Sequence, residues 1–405
     1  MKIVVALDSF KGSLTAVQAC DIVAQALCSI VPGVDVVTKP MADGGEGTAA
    51  VLMAAAGGQW ISTRVMGPLP GMEVEAGFVW LPDNHTALVE MATASGLPLL
   101  TPEQRNPLET TTYGTGQLIQ AAIGHGANHI LLAIGGSATV DGGVGAATAL
   151  GWKFLTKKGE EIGLGGGQLA RIVRIVPPLN VLARHGQDAR ATHRRDAHAT
   201  ETPGGITTNA TVEVLCDVDN PLCGEHGAAR VYGPQKGATP AMVEQLDAGL
   251  AHMARLVKDQ LGRDIACLPG AGAAGGLAAG AVAFLNARLV PGIDAIMAQT
   301  RLPGAVAGAA WVVTGEGSFD EQSLRGKVVS GVTRVARAAG AKIAVCAGQV
   351  RLEPGRYRQA GIETALACME PGMELDYAIA HGAELLDRAA RRFVRDYLSE
   401  KETGP

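Results

Sequence analysis

Acidic residues, lysines and glycines recur immediately after short apolar runs that are typical of buried parallel strands. Five such loops occupy residues 8–13, 43–46, 135–141, 217–220 and 315–320. Because ligands of open α/β sheets bind beyond the carboxyl ends of the strands, we expect these loops to converge on clefts. This residue set suits phosphoryl transfer, in which cations screen phosphate charge, amides hold oxygens and an aspartate accepts the proton of an attacking hydroxyl.

Two lysines are the candidate cations. Lys11 follows Asp8 and Ser9 in a loop between a predicted strand and a predicted helix, and a helix amino terminus favours a bound anion. Lys236 precedes a helix that the pattern predicts from about Pro240 to Leu261. Lys11 would neutralise phosphate or substrate charge. The alternative is a solvated loop lysine, with Asp8 or Ser9 as a turn former.

Three carboxylates are candidates for metal or proton chemistry. Asp43 and Glu46 share a glycine-rich loop, and such a pair can hold Mg²⁺ or orient a hydroxyl. The alternative there is an Asp-Gly turn in which Glu46 caps the next helix. Asp217 directly follows a predicted buried strand, which favours metal binding or proton transfer. The alternative is an Asx turn before Pro221.

The loop at residues 135–141 is a candidate ligand site because it follows an apolar run and precedes a helix of small residues. It supplies glycines for close backbone approach, hydroxyls and a carboxylate, from Gly135, Gly136, Ser137, Thr139 and Asp141. The alternative is a tight strand-to-helix turn whose glycines serve packing alone.

A second glycine loop covers residues 268–277. It lacks the Gly-Lys-Ser/Thr ending of a Walker loop, and a lone Gly-x-Gly-x-x-Gly match at Gly270, Gly272 and Gly275 is a weak dinucleotide signal. The preceding residues 263–268 make a poor strand, which disfavours a nicotinamide-dependent dehydrogenase. The loop could still deliver backbone amides to phosphates.

Composition bounds the fold and the partners. At 405 residues two domains are expected, and 47% hydrophobic residues with 4% aromatics and 54 glycines favour layered α/β packing. A net charge of −5 argues against nucleic acid as the main partner. The basic, aperiodic stretch 183–208 is predicted to be a surface insertion, although its histidines leave a metal patch open.

The chain is expected to be cytoplasmic. Its seven cysteines are scattered without a Cys-x-x-Cys pair, which suits a reducing compartment. A strand begins at Lys2, unlike a signal peptide. The most apolar window, residues 271–285, is too short to span a bilayer, so no membrane partner is expected.

Seven spaced motifs together resemble the bacterial glycerate kinase family of the glyoxylate and glucarate pathways. They run in order along nearly the whole chain, at residues 8–14, 42–48, 135–143, 216–218, 233–237, 269–276 and 314–317. Two positions depart from the family pattern. Val140 stands where asparagine is common, so a side-chain hydrogen bond is lost there, and Leu7 stands where proline is frequent.

The resemblance implies a fold and a reaction. The fold is α/β, with a Rossmann-like, mostly parallel domain at residues 1–72 and 291–405 and a mixed-sheet α/β domain inserted at 73–290. The reaction is ATP- and Mg²⁺-dependent phosphorylation of D-glycerate by a monomer or homodimer, most simply on the 2-hydroxyl to give 2-phosphoglycerate and ADP. Three alternatives stay open: a 3-phosphoglycerate-forming kinase, the dehydrogenase, and a non-catalytic organic-acid sensor.

The resemblance and the strand-end positions together assign roles to the candidate residues. The predicted catalytic residues are Lys11, Asp43 and Asp217. The predicted substrate-binding residues are Asp8, Ser9, Lys11, Glu46, Ser137, Thr139, Asp141 and Lys236. The predicted nucleotide-binding residues are Gly270, Gly272, Gly275, Gly276, Gly315, Glu316 and Gly317. The predicted metal ligands are Asp217 and Asp320.

Overall fold

A computed structural model describes residues 1–45, 47–178 and 210–398. Glu46 and the predicted insertion at 183–208 therefore lie outside the described residues. The strands are β1 (Lys2–Leu7), β2 (Asp35–Thr38), β3 (Gln59–Met66), β4 (Glu73–Leu81), β5 (Thr86–Glu90), β6 (His129–Ala133), β7 (Lys153–Leu155), β8 (Arg174–Val176), β9 (Thr211–Leu215), β10 (Arg288–Val290), β11 (Trp311–Gly315), β12 (Ser318–Phe319), β13 (Lys342–Ala347), β14 (Gln349–Val350) and β15 (Thr364–Ala367).

The helices alternate with these strands in the order expected for α/β layers. They are α1 (Ala16–Ile30), α2 (Thr48–Ala56), α3 (Ala92–Ser95), α4 (Tyr113–Gly124), α5 (Val144–Ala149), α6 (Ala228–Tyr232), α7 (Pro240–Leu261), α8 (Leu277–Leu285), α9 (Gly292–Gln299), α10 (Leu302–Val306), α11 (Val328–Ala338), α12 (Pro354–Gln359), α13 (Leu375–Ala380) and α14 (Gly382–Phe393). None of the helices in the described ranges is long and apolar enough to cross a membrane.

The chain divides into two compact units. Unit 1 comprises Met1–Gly58 and Pro291–Pro405, and unit 2 comprises Gln59–Val290. The first division lies before β3, whereas the sequence places it after residue 72. Because β3 pairs with β4 along its whole length, from Gln59 opposite Trp80 to Met66 opposite Glu73, it belongs with unit 2.

Unit 1 is built on a parallel sheet of order β15-β13-β11-β1-β2. Its central strands are buried on both faces. Val4 and Val312 belong to the apolar cluster on one face, and Val5 and Val313 belong to the cluster on the other. Continuous apolar runs such as residues 3–7 therefore form central strands, as the sequence predicts.

Helix α1 begins where the sequence predicts, because its amino terminus carries a complete capping box. The Gln18 backbone N–H donates to Thr15 Oγ1 (3.2 Å), and the Thr15 backbone N–H donates to Gln18 Oε1 (3.0 Å). This reciprocal pair satisfies two helix-end donors. It also fixes where the loop after β1 must end.

The carboxyl-terminal helical region differs from its prediction. A single helix from about Leu375 to Leu398 is expected, but the structure ends α13 at Ala380 and starts α14 at Gly382. The loop after β1 packs against this break. Ser13 Oγ donates to the Ile379 carbonyl (2.7 Å), and a side chain at residue 382 would collide with the Ser13 hydroxyl. The break therefore accommodates a tertiary contact that helical periodicity does not encode.

Unit 2 contains a mixed sheet of order β10-β9-β6-β5-β4-β3. Strands β3, β4 and β5 pair antiparallel, and β5, β6, β9 and β10 pair parallel. One apolar cluster joins the sheet to α4 and α8, and a second joins α5, α7 and α8. The predicted α/β fold class, with one mostly parallel and one mixed sheet, is confirmed. The parallel strands bring the loops after β6 and β9 to one edge of this sheet.

Candidate functional site

The first group of polar residues lies at the topological switch point of unit 1. The chain runs from β1 to β2 on one side of β1, and β11 leads to β13 and β15 on the other side. The carboxyl ends of β1 and β11 therefore flank the crevice in which open α/β sheets bind ligands. Asp8 follows β1, and its backbone N–H donates to the Gly315 carbonyl at the end of β11 (2.9 Å).

Asp43 reaches the same place because the chain after β2 continues alongside β1. The Lys39 backbone N–H donates to the Val5 carbonyl (2.8 Å), and the Met41 backbone N–H donates to the Leu7 carbonyl (2.9 Å). Asp43 itself forms an Asx turn, with Oδ1 accepting from the Gly45 backbone N–H (3.1 Å). Asp43 is therefore a turn former placed beside the Asp8 carboxylate. This placement is compatible both with a purely structural turn and with metal binding or hydroxyl orientation.

The Asp8 carboxyl is the most strongly perturbed acid of this group. Burial, the largest cause, and the negative charges of Asp43 and Glu316 together raise its pKa from the ordinary value of 3.8 to about 7, against a hydrogen bond from the Ser9 backbone N–H to Oδ1 (2.6 Å). A carboxyl with a pKa near 7 is suited to accept and release a proton at neutral pH.

Glu316 is the second perturbed carboxylate of the switch point. Burial raises its pKa, and Asp320 and Asp43 raise it as well, whereas a hydrogen bond from Ser323 and the positive charge of Lys327 lower it. Its buried Oε1 accepts no hydrogen bond from any described residue. A buried carboxylate oxygen without a donor is costly, so this position favours an additional cation or donor.

The switch-point carboxylates do not form a ready-made protein metal cage. Within the described ranges, no group of three or more His, Cys, Asp or Glu side chains is placed to hold a metal ion. Mg²⁺ commonly takes only one or two protein carboxylates, with water and substrate phosphates completing its coordination. The mutual repulsion of Asp8, Asp43 and Glu316 fits such partial coordination.

The two predicted metal ligands belong to different units. Asp320 lies in unit 1, where its Oδ1 accepts from the Gln322 backbone N–H (2.9 Å) and its own N–H donates to Ser323 Oγ (3.0 Å). Asp217 is exposed in the loop after β9 of unit 2. In unit 1, the negative charges of Asp320 and Asp43 both raise the pKa of Glu316.

Lys11 and Ser9 occupy the loop after β1. Lys11 is exposed at the turn, and the neighbouring Gly12 has a φ of 77°, in the left-handed region. Ser9 is half-buried beside Asp8. The exposure of Lys11 is compatible with both earlier interpretations, phosphate binding and a solvated loop lysine.

The second group of polar residues surrounds Lys236 in unit 2. The loop after β6 is tied to the segment after β5, because the Leu97 backbone N–H donates to the Gly136 carbonyl (2.8 Å) and the Ala138 backbone N–H donates to the Ser95 carbonyl (2.9 Å). This fixes Ser137 next to Lys236, whose Nζ donates to Ser137 Oγ (2.6 Å). The structure thus joins two residues 99 positions apart.

Lys236 is an enclosed cation, with only 2% of its surface exposed. Burial lowers its pKa from 10.5 to about 7, and the charge of Asp141 opposes this shift. Its Nζ also donates to the Thr139 carbonyl (2.8 Å), while the buried Thr139 Oγ1 has no hydrogen-bond partner among the described residues. An ammonium held by neutral oxygens beside a spare hydroxyl is suited to bind a carboxylate or phosphate oxygen.

Asp141 holds unit 2 together internally, and its role in substrate binding stays a prediction. Its carboxylate is 1% exposed and accepts from Thr111 Oγ1 (3.3 Å) and from the Thr112 backbone N–H (2.8 Å). It also accepts from the Gly143 and Gly145 backbone N–H groups (3.1 and 3.2 Å). Burial raises its pKa, and these hydrogen bonds lower it. The protein's own donors occupy both carboxylate oxygens.

We expect Asp141→Asn to act on stability. The amide would place N–H donors against backbone N–H donors, so the free energy of unfolding should fall by about 2–4 kcal/mol. Urea denaturation would measure this, with the exposed Asp259→Asn on α7 as the control. Unchanged stability together with a raised KM would instead return Asp141 to substrate binding.

The glycines of the loop at 268–277 are required by packing, and their role in holding nucleotide phosphates stays a prediction. A side chain at Gly272 would collide with the Pro221 carbonyl, and one at Gly275 with the Thr139 carbonyl. Gly270 lies against Cys216 and the Val218 carbonyl, and Gly276 lies against Leu222 and Gly142. At these four positions an added side chain would therefore meet the chain's own atoms.

The predicted nucleotide glycines of unit 1 divide into two kinds. Gly315 is a strand residue whose missing side chain makes room for the Cys346 carbonyl of β13. A side chain at Gly317 would make only ordinary van der Waals contacts, with the Lys11 backbone nitrogen at 3.7 Å and the Phe10 Cα at 3.8 Å. Of these two, Gly317 is the one with room for a side chain, and it lies beside the loop after β1.

Two relevant residues are absent from the sequence-based site. Lys327 precedes α11, and its positive charge lowers the pKa of Glu316. The sequence pattern that could have indicated it is the Gly326-Lys327 pair at a strand-to-helix connection. Thr112 contacts Asp141 through both its backbone N–H and its hydroxyl, which no local spacing indicates. Val140 is fully buried in the apolar cluster of α5, α7 and α8.

Comparison with known proteins places this geometry in a family. The sequence profile of the glycerate kinase family matches residues 3–398. The chain belongs to the glycerate kinase family. The predicted family and the predicted enzyme class, a phosphotransferase, are confirmed.

Glycerate kinase relatives align over nearly their full length. A protein of Halalkalibacterium halodurans named glycerate kinase is 42% identical over 392 residues, covering 97% of both chains. A protein of Escherichia coli K12 named glycerate 2-kinase is 40% identical over 394 residues, again covering 97% of both chains. The crystal structure of putative glycerate kinase 2 from Salmonella typhimurium LT2 superposes with a TM-score of 0.82 at 36% identity, covering 98% of this chain and 97% of that one.

Proposed function

We propose that the protein transfers the γ-phosphoryl group of ATP to the 2-hydroxyl of D-glycerate, forming 2-phosphoglycerate and ADP. The observation that carries this proposal is the 40% identity, over 97% of both chains, to an Escherichia coli protein named glycerate 2-kinase. The two polar groups described above supply chemistry that such a reaction needs. When bound, ATP supplies the phosphoryl group and Mg²⁺ screens the charge on its oxygens.

In this proposal Asp8 is the general base. Its carboxylate accepts the hydroxyl proton as the new O–P bond forms and the bond to the leaving ADP oxygen breaks. Its pKa of about 7 without metal lies near neutral pH, and Mg²⁺ held by the neighbouring carboxylates would lower it and favour the proton-accepting form. Asp43 sustains this pKa by charge repulsion, which assigns it a positioning and electrostatic role.

Glu316 and Asp43 are the residues that would hold Mg²⁺ at the switch point. The Glu316 Oε1 without a donor and the repulsion among these carboxylates fit a cation. Lys11, Lys327 and the Gly317 backbone N–H would bind the polyphosphate. Asp217, which lies in unit 2, stays a predicted catalytic and metal-binding residue of the loop after β9.

Lys236, Ser137 and Thr139 are proposed to bind the glycerate carboxylate. Lys236 Nζ contacts neutral oxygens in unit 2, and its electrostatic partner Asp141 is occupied by other donors. A bound carboxylate would accept from the Lys236 ammonium and the Thr139 hydroxyl. It would also raise the pKa of Lys236, because the anion favours the protonated form.

The decisive experiment follows ADP release by the purified protein. We expect release to require D-glycerate, ATP and Mg²⁺ together, and to stop when EDTA removes the metal. Phosphorus NMR of the product distinguishes 2-phosphoglycerate from 3-phosphoglycerate, the other kinase product. No ADP release under saturating conditions would overturn the proposal.

Two ligand-binding measurements separate the remaining alternatives. Calorimetry that detects glycerate binding without ATP binding would indicate an organic-acid sensor. Tight NADH binding would indicate a dehydrogenase. We expect neither result, because relatives that align over nearly their full length are named glycerate kinase or glycerate 2-kinase.

A further inference from the structure

The outer edge of β3 carries hydrogen-bonding groups that its own sheet does not use. β3 is the last strand of the unit 2 sheet, and no other strand in the described ranges pairs with its outer side. The register with β4 and the bond from the Gly67 N–H to the Met72 carbonyl (2.8 Å) direct odd-numbered residues toward β4. The backbone groups of Trp60, Ser62 and Arg64 therefore point outward.

The carboxyl end of the β3 outer edge is covered by α4, and the rest of this edge is exposed. The outward Met66 N–H donates to Gln117 Oε1 of α4 (2.8 Å), and Gly114 of the same helix lies directly against the Met66 carbonyl. Side chains at residues 59, 60, 62 and 64 are exposed. Natural edge strands are commonly protected by prolines, bulges or several charges. β3 has no proline, and its single charged residue is Arg64.

The exposed residues of this edge are complementary to themselves. In an antiparallel pair of two β3 strands centred on Ser62, each Trp60 lies opposite Arg64 of the second copy. Trp60 is 40% exposed, its ring covers Gly77 of β4, and its Nε1 donates to Ser62 Oγ (3.1 Å). Arg64 forms no ion pair with another described residue. A guanidinium beside a fixed indole is a favourable cation–π arrangement.

We propose that the protein forms a homodimer in which two copies of β3 pair antiparallel about Ser62, joining the two unit 2 sheets edge to edge. Ser62 exchanges both backbone hydrogen bonds with Ser62 of the second copy. Trp60 of each copy likewise exchanges backbone hydrogen bonds with Arg64 of the other copy. The shared two-fold axis closes the assembly, so a dimer forms and further addition stops.

Ser62→Pro tests this pairing. Proline removes the outward N–H of residue 62 and spares the bonds to β4, whereas Ser62→Ala keeps the N–H and serves as the matched control. Sedimentation equilibrium over about two decades of protein concentration measures the assembly. We expect dimers for the wild type and Ser62→Ala, and a dissociation constant at least about tenfold higher for Ser62→Pro.

A charge-reversal variant tests the same dimer independently. Arg64→Glu preserves every backbone group but removes the cation opposite Trp60, so it too should weaken the dimer. Circular dichroism melting verifies that each variant is folded, and kinase activity should be unchanged because no proposed catalytic residue is touched. A monomeric wild type, or folded Ser62→Pro and Arg64→Glu variants that dimerise as tightly as the wild type, would overturn the proposal.

Discussion

Replacing Asp8 with asparagine is expected to lower kcat by about 10²- to 10⁴-fold, the usual contribution of a positioned general base. The amide keeps the size of the side chain and can still accept the Ser9 N–H, but it cannot take the hydroxyl proton. The acidic limb of the pH–rate profile, expected at or below pH 7 in the wild type because the Asp8 pKa is about 7 without metal and bound Mg²⁺ lowers it, should disappear. Steady-state kinetics between pH 5.5 and about 9 measure both effects.

Stability separates this loss of activity from misfolding. The folded-state pKa of Asp8 is about 7 and its ordinary value is 3.8, so the native state binds the proton more tightly. Asp8 therefore contributes stability at low pH that is lost as the pH rises from about 4 through 7. Above pH 7, Asp8→Asn should be at least as stable as the wild type in urea.

Two further variants identify the role of the Asp8 neighbours. Asp35→Asn changes an exposed carboxylate at the other end of β2 and should leave kcat unchanged. Asp43→Asn removes a charge that raises the Asp8 pKa, so the acidic limb should move to lower pH. If Asp43 also holds metal, its loss should reduce turnover by about 100-fold or more. Retention of kcat and the pH limb by Asp8→Asn would show that another group is the base.

Lys236→Met is expected to raise the KM for D-glycerate by about 10²-fold, because a bound carboxylate would lose a charge-assisted hydrogen bond in an enclosed site. Methionine fills similar space without the ammonium. Lys258→Met on α7 is the matched control, since Lys258 is exposed and pairs with Asp264 at the surface. An unchanged KM in Lys236→Met would exclude Lys236 from substrate binding.

The same variant has a predicted stability signature. The folded-state pKa of Lys236 is about 7, below its ordinary value of 10.5, so protonation favours the unfolded chain. The unfolding free energy of the wild type should therefore rise with pH between about 7 and 10.5, and this component should be absent in Lys236→Met. Urea denaturation at neutral and alkaline pH measures the difference. Identical pH dependence in both proteins would mean that Lys236 is not desolvated in solution.

Several features of the fold follow from short-range sequence patterns. The apolar run at residues 3–7 predicts a central parallel strand, and the Thr15–Gln18 spacing predicts the start of α1. Thr239 likewise caps α7, with its Oγ1 accepting from the Met242 N–H (3.3 Å). These predictions succeed because strand burial and helix capping depend on residues within a few positions of one another.

The candidate site depends on contacts between distant parts of the chain. Asp8, Asp43 and Glu316 are far apart in sequence, and the parallel order β11-β1-β2 makes their charges interact. The prediction that strand-end loops converge anticipates this meeting in unit 1. It does not anticipate which carboxylate is most perturbed, because burial and neighbouring charge are properties of the packed state.

The sequence by itself determined the family, the α/β class and the loops that carry the polar residues, because the motifs and periodicities that encode them are local. Tertiary structure decided which groups surround those residues. Asp141 and the glycines at 270–276 match a binding loop in composition, but their surroundings are the protein's own donors and backbone. Lys236 is a single loop lysine in the sequence, and only folding encloses it beside Ser137 and lowers its pKa. Burial and partner identity are set by packing across the whole unit, and residue spacing along the chain does not specify them.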